Sequence, residues 1–248
     1  MERLIVSITS YPRRFHMLKR VLESLELQTY NDFKVVLTLY KKECENDLDK
    51  LDKIISMSKL NIELNFVDTN TYCHKNTFEV MKLYPDNPIL VIDDDVMREE
   101  NCIKNFIDDY LENDCIIART FDNLLKNNKI INKQQGIRYI PNKQMFFTGN
   151  EMPNTGGYGI LYPPHCIKDP RFYDKDLILK CSPTSTEVWL FYWLCKEHTK
   201  LFFKWSKTFT FYLSFFQKEG KLGQINTVEQ RNIYFKNCQD ILGNLDSI

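Results

Sequence analysis

Ile89-Leu90-Val91-Ile92-Asp93-Asp94-Asp95-Val96 is the stretch that decides how this 248-residue chain is read. Four aliphatic residues lead into three consecutive carboxylates, and Asn87-Pro88 bounds the run upstream. A short, β-branched-rich apolar run predicts a strand buried on both faces, as in the middle of a parallel sheet. Three carboxylates at its carboxyl end repel one another and persist most easily beside a cation. In an open α/β sheet that edge is where ligands bind. Strand alternation puts Asp93 and Asp95 on one face and Asp94 on the other. Two hard oxygen donors two residues apart can share a divalent cation, and Mg²⁺ or Mn²⁺ takes its remaining ligands from phosphate and water. The competing reading is a solvated acidic turn after a strand.

Upstream of this run the pattern repeats. Leu4 to Ile8 reads as a strand, followed by the turn Thr9-Ser10-Tyr11-Pro12-Arg13-Arg14. A helix from about Phe15 to Gln28 carries Leu18, Val21, Leu22 and Leu25 at helical spacing. Phe33 to Leu39 and Ile62 to Val67 read as strands, with helices over Glu45 to Met57 and Asn76 to Leu83. This β-α-β-α-β-α-β order predicts a parallel sheet with helices on both faces. No G-x-G-x-x-G or G-x-x-x-x-G-K-[ST] occurs, so the dinucleotide fingerprint and the P-loop lose their main support.

Downstream, Asn101 to Leu111 reads as a helix and Cys115 to Arg119 as a short strand. Ile137 to Ile140 and Met145 to Thr148 are candidate strands of a second, mixed sheet. The stretch Gly156-Gly157-Tyr158-Gly159-Ile160-Leu161-Tyr162-Pro163 gathers three of the chain's 8 glycines before a strand. That is a mark of close backbone approach to a ligand or of a bulged turn. A helix opens near Thr186-Glu187-Val188-Trp189 and runs to about Glu197, and Val228 to Leu242 forms a last amphipathic helix.

Composition narrows the class. The 33 basic and 33 acidic residues cancel, so no net field points to nucleic acid or to an acidic partner. Eight scattered cysteines without a C-x-x-C pair argue against a zinc site and for reduced, buried thiols in a cytoplasmic protein. The opening Met1 to Ser7 is too short and too polar for a signal peptide. No stretch reaches the roughly 18 apolar residues that a membrane span needs. The aromatic and lysine-rich run from Lys200 to Phe216 reads as core strand plus rim, with peripheral membrane contact as the second reading. The four histidines show no metal-ligand spacing; His165, beside Pro163-Pro164, stands as a candidate third ligand whose default is a satisfied or exposed side chain.

Four segments together resemble the GT-A fold glycosyltransferases, the DXD-containing, nucleotide-sugar-dependent type. Thr9 to Arg14 resembles their nucleotide-binding first loop, Ile92-Asp93-Asp94-Asp95-Val96 their DXD motif, and Gly156 to Pro163 their glycine-rich segment. Thr186-Glu187-Val188-Trp189 resembles the helix start that carries the base in inverting members, with the usual pair of acids reduced to one. The resemblance implies a single GT-A-like domain over 1–248, with a nucleotide-sugar-binding half (1–98) and an acceptor-binding half (99–248). Its fold would be a mainly parallel Rossmann-like sheet flanked by helices, with a smaller mixed second sheet.

It also implies a metal-dependent, inverting sugar transfer from a nucleotide-diphosphate donor to a glycan or lipid-linked acceptor hydroxyl, as in polysaccharide biosynthesis. Asp95 and Asp93 would hold Mn²⁺ or Mg²⁺. Thr9, Ser10, Tyr11, Arg13, Lys75 and Asp94 would line the nucleotide sugar, with Arg14 the lesser candidate. Gly156, Gly157 and Trp189 would form the donor-sugar and acceptor pocket, and Glu187 would be the base. No nucleic acid and no transmembrane segment are expected, and the location is cytoplasmic or peripheral at the membrane. Glu187 has a rival explanation, because Thr184-x-x-Glu187 reads as a capping box with Thr184 at the N-cap. Two other classes compete with the whole reading. One is a haloacid-dehalogenase-like phosphatase using Asp93-x-Asp95. The other is a non-catalytic protein of the same fold that binds a sugar or nucleotide sugar.

Overall fold

The computed structural model describes residues 2–126, 129–130, 144–154, 157–205, 211–213 and 225–245. Its elements, in chain order, begin with β1 (Leu4–Thr9), α1 (Phe15–Glu26), β2 (Phe33–Tyr40), α2 (Lys41–Cys44) and α3 (Leu48–Ser56). Next come β3 (Ile62–Val67), α4 (Phe78–Leu83), β4 (Ile89–Asp93), β5 (Val96–Met97) and α5 (Cys102–Asn113). Then follow β6 (Ile116–Ala118), β7 (Phe121–Lys126), β8 (Lys129–Ile130), β9 (Gln144–Phe146), β10 (Glu151–Pro153) and β11 (Ile160–Tyr162). Last are α6 (Lys175–Cys181), α7 (Thr186–Lys196), β12 (Leu201–Lys204), β13 (Phe211–Tyr212) and α8 (Val228–Leu242).

The expected α/β architecture is the one found. An eight-stranded sheet runs β3-β2-β1-β4-β11-β6-β12-β9. β1 pairs in parallel with both β2 and β4, and β2 with β3. β11 runs antiparallel to β4 and β6, and β9 antiparallel to β12, so the sheet is mixed beyond β4. Small sheets β10-β7-β8 and β13-β5 lie outside it. The candidate strand Ile137 to Ile140 falls outside the described residues, and Met145 belongs to β9 in the main sheet.

Alternation along the central strands builds two cores. Leu4, Val6, Ile8, Leu90 and Ile92 join α1 and α5 on one face of the sheet. Ile5, Ile89, Val91 and Ile160 join α4, α6 and α7 on the other. This is why the central strands read as unbroken apolar runs: each residue meets a helix layer on its own side. α7 is apolar all round, with Val188 to Leu194 buried, because it lies inside the second core rather than on its surface. The aromatic run after Lys200 does contribute a core strand: Leu201, Phe202 and Phe203 are buried in β12. Among the described residues no helix is long and apolar enough to cross a membrane.

The connections place the ligand edge. From β1 the chain steps outward to β2 and β3, then returns to β4 on the other side of β1. The loops after β1 and β4 therefore leave the sheet side by side at its carboxyl edge, in the crevice such a reversal opens. Because β11 is antiparallel, with Ile160 opposite Val91 and Tyr162 opposite Ile89, its glycine lead-in reaches the same edge.

Candidate functional site

β4 stops at Asp93, and Asp94 and Asp95 form the turn into β5. The expected alternation therefore ends one residue into the triplet; Asp93 bonds the glycine lead-in, and Asp94 and Asp95 share Arg14. Asp93 Oδ2 accepts the Gly157 N–H at 2.8 Å. Asp94 accepts Ser10 Oγ at 2.6 Å and Arg14 Nη1 at 2.8 Å. Asp95 lies 3.3 Å from the same Arg14 nitrogen. Register brings Thr9 opposite Asp93, and Thr9 Oγ1 donates to Thr38 O at 2.8 Å. Asp94 and Asp95 are buried, and Asp93 half-buried.

Electrostatics follow from this packing. Burial raises the Asp93 pKa, the Asp95 charge raises it further, and the Gly157 N–H and Arg98 oppose both. Asp94 is raised by burial against the pull of Arg14. Burial works against the Arg14 charge, but Asp94 and Asp95 outweigh it and hold the guanidinium above its ordinary range. Arg14 also lies over the Tyr11 ring at 5.5 Å.

The cation facing the carboxylates is thus Arg14, whereas Arg13, preferred from sequence, is exposed. Pro12 starts a three-residue turn, and that turn brings its last residue, not its middle one, back to the sheet edge. Arg98 is the second cation that sequence reasoning missed. It is buried after β5, and its Nη1 donates to Gly157 O. A basic residue three positions past the triplet was the available signal.

Gly157 (φ 78°) and Gly159 (φ 90°) occupy the left-handed region that glycine enters without strain. A Cβ on Gly159 would come 3.0 Å from Val91 O, so the lead-in packs directly on β4. Gly156, expected beside Gly157 in the pocket, lies outside the described residues.

Lys75 is buried in the turn Tyr72–Asn76, donating to Tyr72 O at 2.8 Å and Asn70 Oδ1 at 3.2 Å. Burial lowers its pKa, and the charges of Glu43 and Asp94 oppose that. The same turn meets the start of α7. Cys73 Sγ donates to Thr184 O at 3.3 Å, and Thr186 Oγ1 donates to Cys73 Sγ at 3.2 Å. Burial pushes the Cys73 thiol up to about 11, with the Glu187 charge adding to the rise, so it is not a nucleophile at neutral pH.

Three expectations are corrected here. The cap of α7 is Ser185, whose Oγ accepts from Val188 N, and not Thr184; Glu187 is then the second helical residue, with Ser185 Oγ 3.0 Å from its Oε2. Thr184 instead bonds Asn226 Oδ1 at 2.7 Å. Trp189 does not line a pocket: it is fully buried, donates Nε1 to Phe172 O at 3.0 Å and packs on Trp193. At helical spacing it points into the second core. His165 is not a third ligand. It follows β11 at the opposite edge of the sheet, exposed, 2.9 Å from Asp86 Oδ1. A cleft of about 440 Å³ lined by Tyr84, Pro163, Pro164 and Tyr173 is also at that far edge.

His74 reports on this packing. Its Nε2 is 2.7 Å from Ser182 O, so that nitrogen carries the proton, and Nδ1 lies 3.4 Å from Thr186 Oγ1. Burial lowers its pKa from 6.5 to about 4. A depressed histidine stabilises the fold fully above its unfolded pKa, and the contribution is lost as pH falls from 6.5 towards 4. The loss amounts to about 3 kcal/mol. Thermal melts across this window should fall more steeply for the wild type than for His74→Asn. Parallel curves for the two would show that His74 titrates normally.

Among the described residues no group of three or more His, Cys, Asp and Glu side chains is arranged to hold a metal. A two-carboxylate site fits a hard dication that draws further ligands from phosphate and water. Asp93 and Asp95 suit this, since their mutual repulsion is what a cation between them relieves.

No protein-family model matches the sequence, and no curated protein matches it. Solved structures share the fold. TarS of S. aureus (residues 1–349) in complex with UDP-GlcNAc superposes with a TM-score of 0.60 at 16% identity, over 91% of this chain and 61% of that one. UTP-bound UGPase from Acinetobacter baumannii gives 0.51 at 11% identity, over 98% and 99%. HddC from Yersinia pseudotuberculosis complexed with GMP-PN gives 0.52 at 14% identity, over 96% and 99%. These likenesses establish the fold: the GT-A type, Rossmann-like α/β architecture found in glycosyltransferases and nucleotidyltransferases.

Proposed function

We propose that this protein is a metal-dependent glycosyltransferase that moves a sugar from a nucleotide-diphosphate donor to a glycan or lipid-linked acceptor hydroxyl with inversion. The observation that carries the reading is the junction of Asp93 with Gly157. It joins an acidic triplet to a glycine lead-in at the carboxyl edge of a sheet, beside the loop after β1. TarS, of the same fold, has a crystal structure in complex with UDP-GlcNAc.

The roles follow from the chemistry. Asp93 and Asp95 would hold Mn²⁺ or Mg²⁺, which would supply charge neutralisation at the diphosphate. Thr9, Ser10 and Tyr11, with Lys75 across the edge, line the nucleotide. Arg14 fixes the turn that presents Asp94 and Asp95. Gly157, lacking a side chain, lets the backbone come close to the donor sugar, while Gly159 seats the lead-in on β4. Glu187, at the start of α7 where the helix dipole favours a carboxylate, takes the proton from the acceptor hydroxyl.

The test is product analysis with a panel of nucleotide sugars, sugar acceptors and Mn²⁺. Release of nucleoside diphosphate with transfer of the sugar is the expected result. A full-length likeness to UGPase and HddC makes nucleotidyl transfer the second reading, and pyrophosphate release from a nucleoside triphosphate and a sugar 1-phosphate would establish it. Binding without turnover would point to a non-catalytic carrier, and phosphate release from a monoester to a phosphatase.

A further inference from the structure

We infer that Arg98 is a positioning residue of the carboxylate edge: it latches the glycine lead-in of β11 onto Asp93, so that Asp93 presents its second oxygen in a fixed direction. The inference rests on the reading of this edge as a metal–diphosphate site.

Arg98 follows β5 directly, and its main-chain N–H donates to Ser24 Oγ of α1 at 3.1 Å. The side chain turns inward and is only 6% exposed. Its Nη1 donates to the carbonyl oxygen of Gly157, whose own N–H donates to Asp93 Oδ2 at 2.8 Å. Both polar groups of Gly157 are therefore held, one on each side of the φ of 78° that only glycine adopts freely. If Arg98 releases the carbonyl, that torsion relaxes and the N–H no longer fixes the Asp93 carboxylate. The guanidinium charge also lies within electrostatic reach of Asp93.

Part of this side chain's bonding capacity goes unused. Arg98 Nε and Nη2 are buried without a hydrogen-bond partner. Leaving such donors unmade opposes folding, and an unbranched apolar side chain would fill the space without that penalty. What the guanidinium provides is a bond to the Gly157 carbonyl, a charge beside Asp93 and a contact with the buried Cys102 thiol. Residues that orient a metal-binding side chain in this way set its affinity.

The experiment is a calorimetric titration of Mn²⁺ with inorganic pyrophosphate, which needs no knowledge of the base or sugar. Arg98→Met should weaken binding by about 10–100-fold. Arg98→Lys, which keeps a charge and one donor, should restore most of it. A purely structural arginine would lower the melting temperature of Arg98→Met and leave its affinity at the wild-type value, and that result would overturn the inference. Should Arg98→Met fail to fold, Arg98→Gln keeps a neutral donor and takes its place. Binding tighter in Arg98→Lys than in Arg98→Gln supports the inference, and equal, wild-type binding in both overturns it. A wild-type protein that binds no Mn²⁺–pyrophosphate is a different outcome, since it removes the metal reading itself and this inference with it.

Discussion

Asp95→Ala should lose metal-dependent nucleotide binding, by more than about 100-fold, while the fold survives. The side chain can be removed cleanly. The main-chain oxygen of Asp95 accepts Leu213 N at 2.7 Å, so the turn after β4 stays pinned without the carboxylate. Arg14 keeps its shorter contact, 2.8 Å to Asp94. The substitution also removes a like charge next to Asp93, which favours folding rather than opposing it. What disappears is one of the two carboxylates proposed to hold a cation, which leaves Asp93 as the remaining proposed protein ligand beside the diphosphate oxygens and water. Calorimetry with Mn²⁺ and nucleoside diphosphates measures the effect, and circular dichroism checks the fold. Unchanged Mn²⁺-dependent binding in a folded Asp95→Ala protein would sink the metal assignment.

Glu187→Gln should keep donor binding and lose turnover by roughly 10²–10⁴-fold. An acceptor hydroxyl has a pKa far above 7, so it needs a proton acceptor as it attacks. The structure makes this substitution a cleaner test than the sequence suggested. The α7 cap is Ser185, whose Oγ accepts from Val188 N, so the backbone cap of the helix is not made by Glu187. Glutamine keeps an oxygen that can accept the Ser185 hydroxyl, which now lies 3.0 Å from Oε2. The loss of charge near a helix N-terminus costs about 0.3–1 kcal/mol, small against the expected change in rate. Rate per folded molecule separates the two effects. If that rate stays at the wild-type value, Glu187 serves the helix start alone. A product that keeps the donor's anomeric configuration would refute the inverting mechanism, whatever Glu187 does.

Much of the fold was legible because it rests on local pattern. Apolar runs bounded by turn residues mark β1, β2 and β4, and helical spacing marks α1, since each must bury one stripe or both faces. Their alternation dictates parallel pairing, and parallel pairing puts the ends of β1 and β4 together. The acidic triplet could therefore be placed at the ligand edge before any side chain was seen. The antiparallel seat of β11 beside β4 was not legible, because nothing in Ile160-Leu161-Tyr162 specifies its partner. That seat brings Gly157 to Asp93, across 64 residues of chain.

Side-chain direction was the other limit. Arg13 and Arg14 are neighbours of one chemical type, and only the pitch of the turn after Pro12 sends the second inward and leaves the first in water. Thr184 is the cap that the Thr184-x-x-Glu187 pattern offers, yet Ser185 takes that place while the Thr184 hydroxyl bonds Asn226, 42 residues on. Trp189 follows a catalytic candidate by two positions, yet a helix turns about 100° per residue and carries it into the aromatic core with Phe172 and Trp193. By itself the sequence determined the sheet, its helices and the edge at which the carboxylates emerge, because these depend on periodicity and chain order. Only the tertiary structure decided which cations face those carboxylates and which peptide group Asp93 grips, because such contacts join residues far apart in the chain through packing that no local pattern encodes.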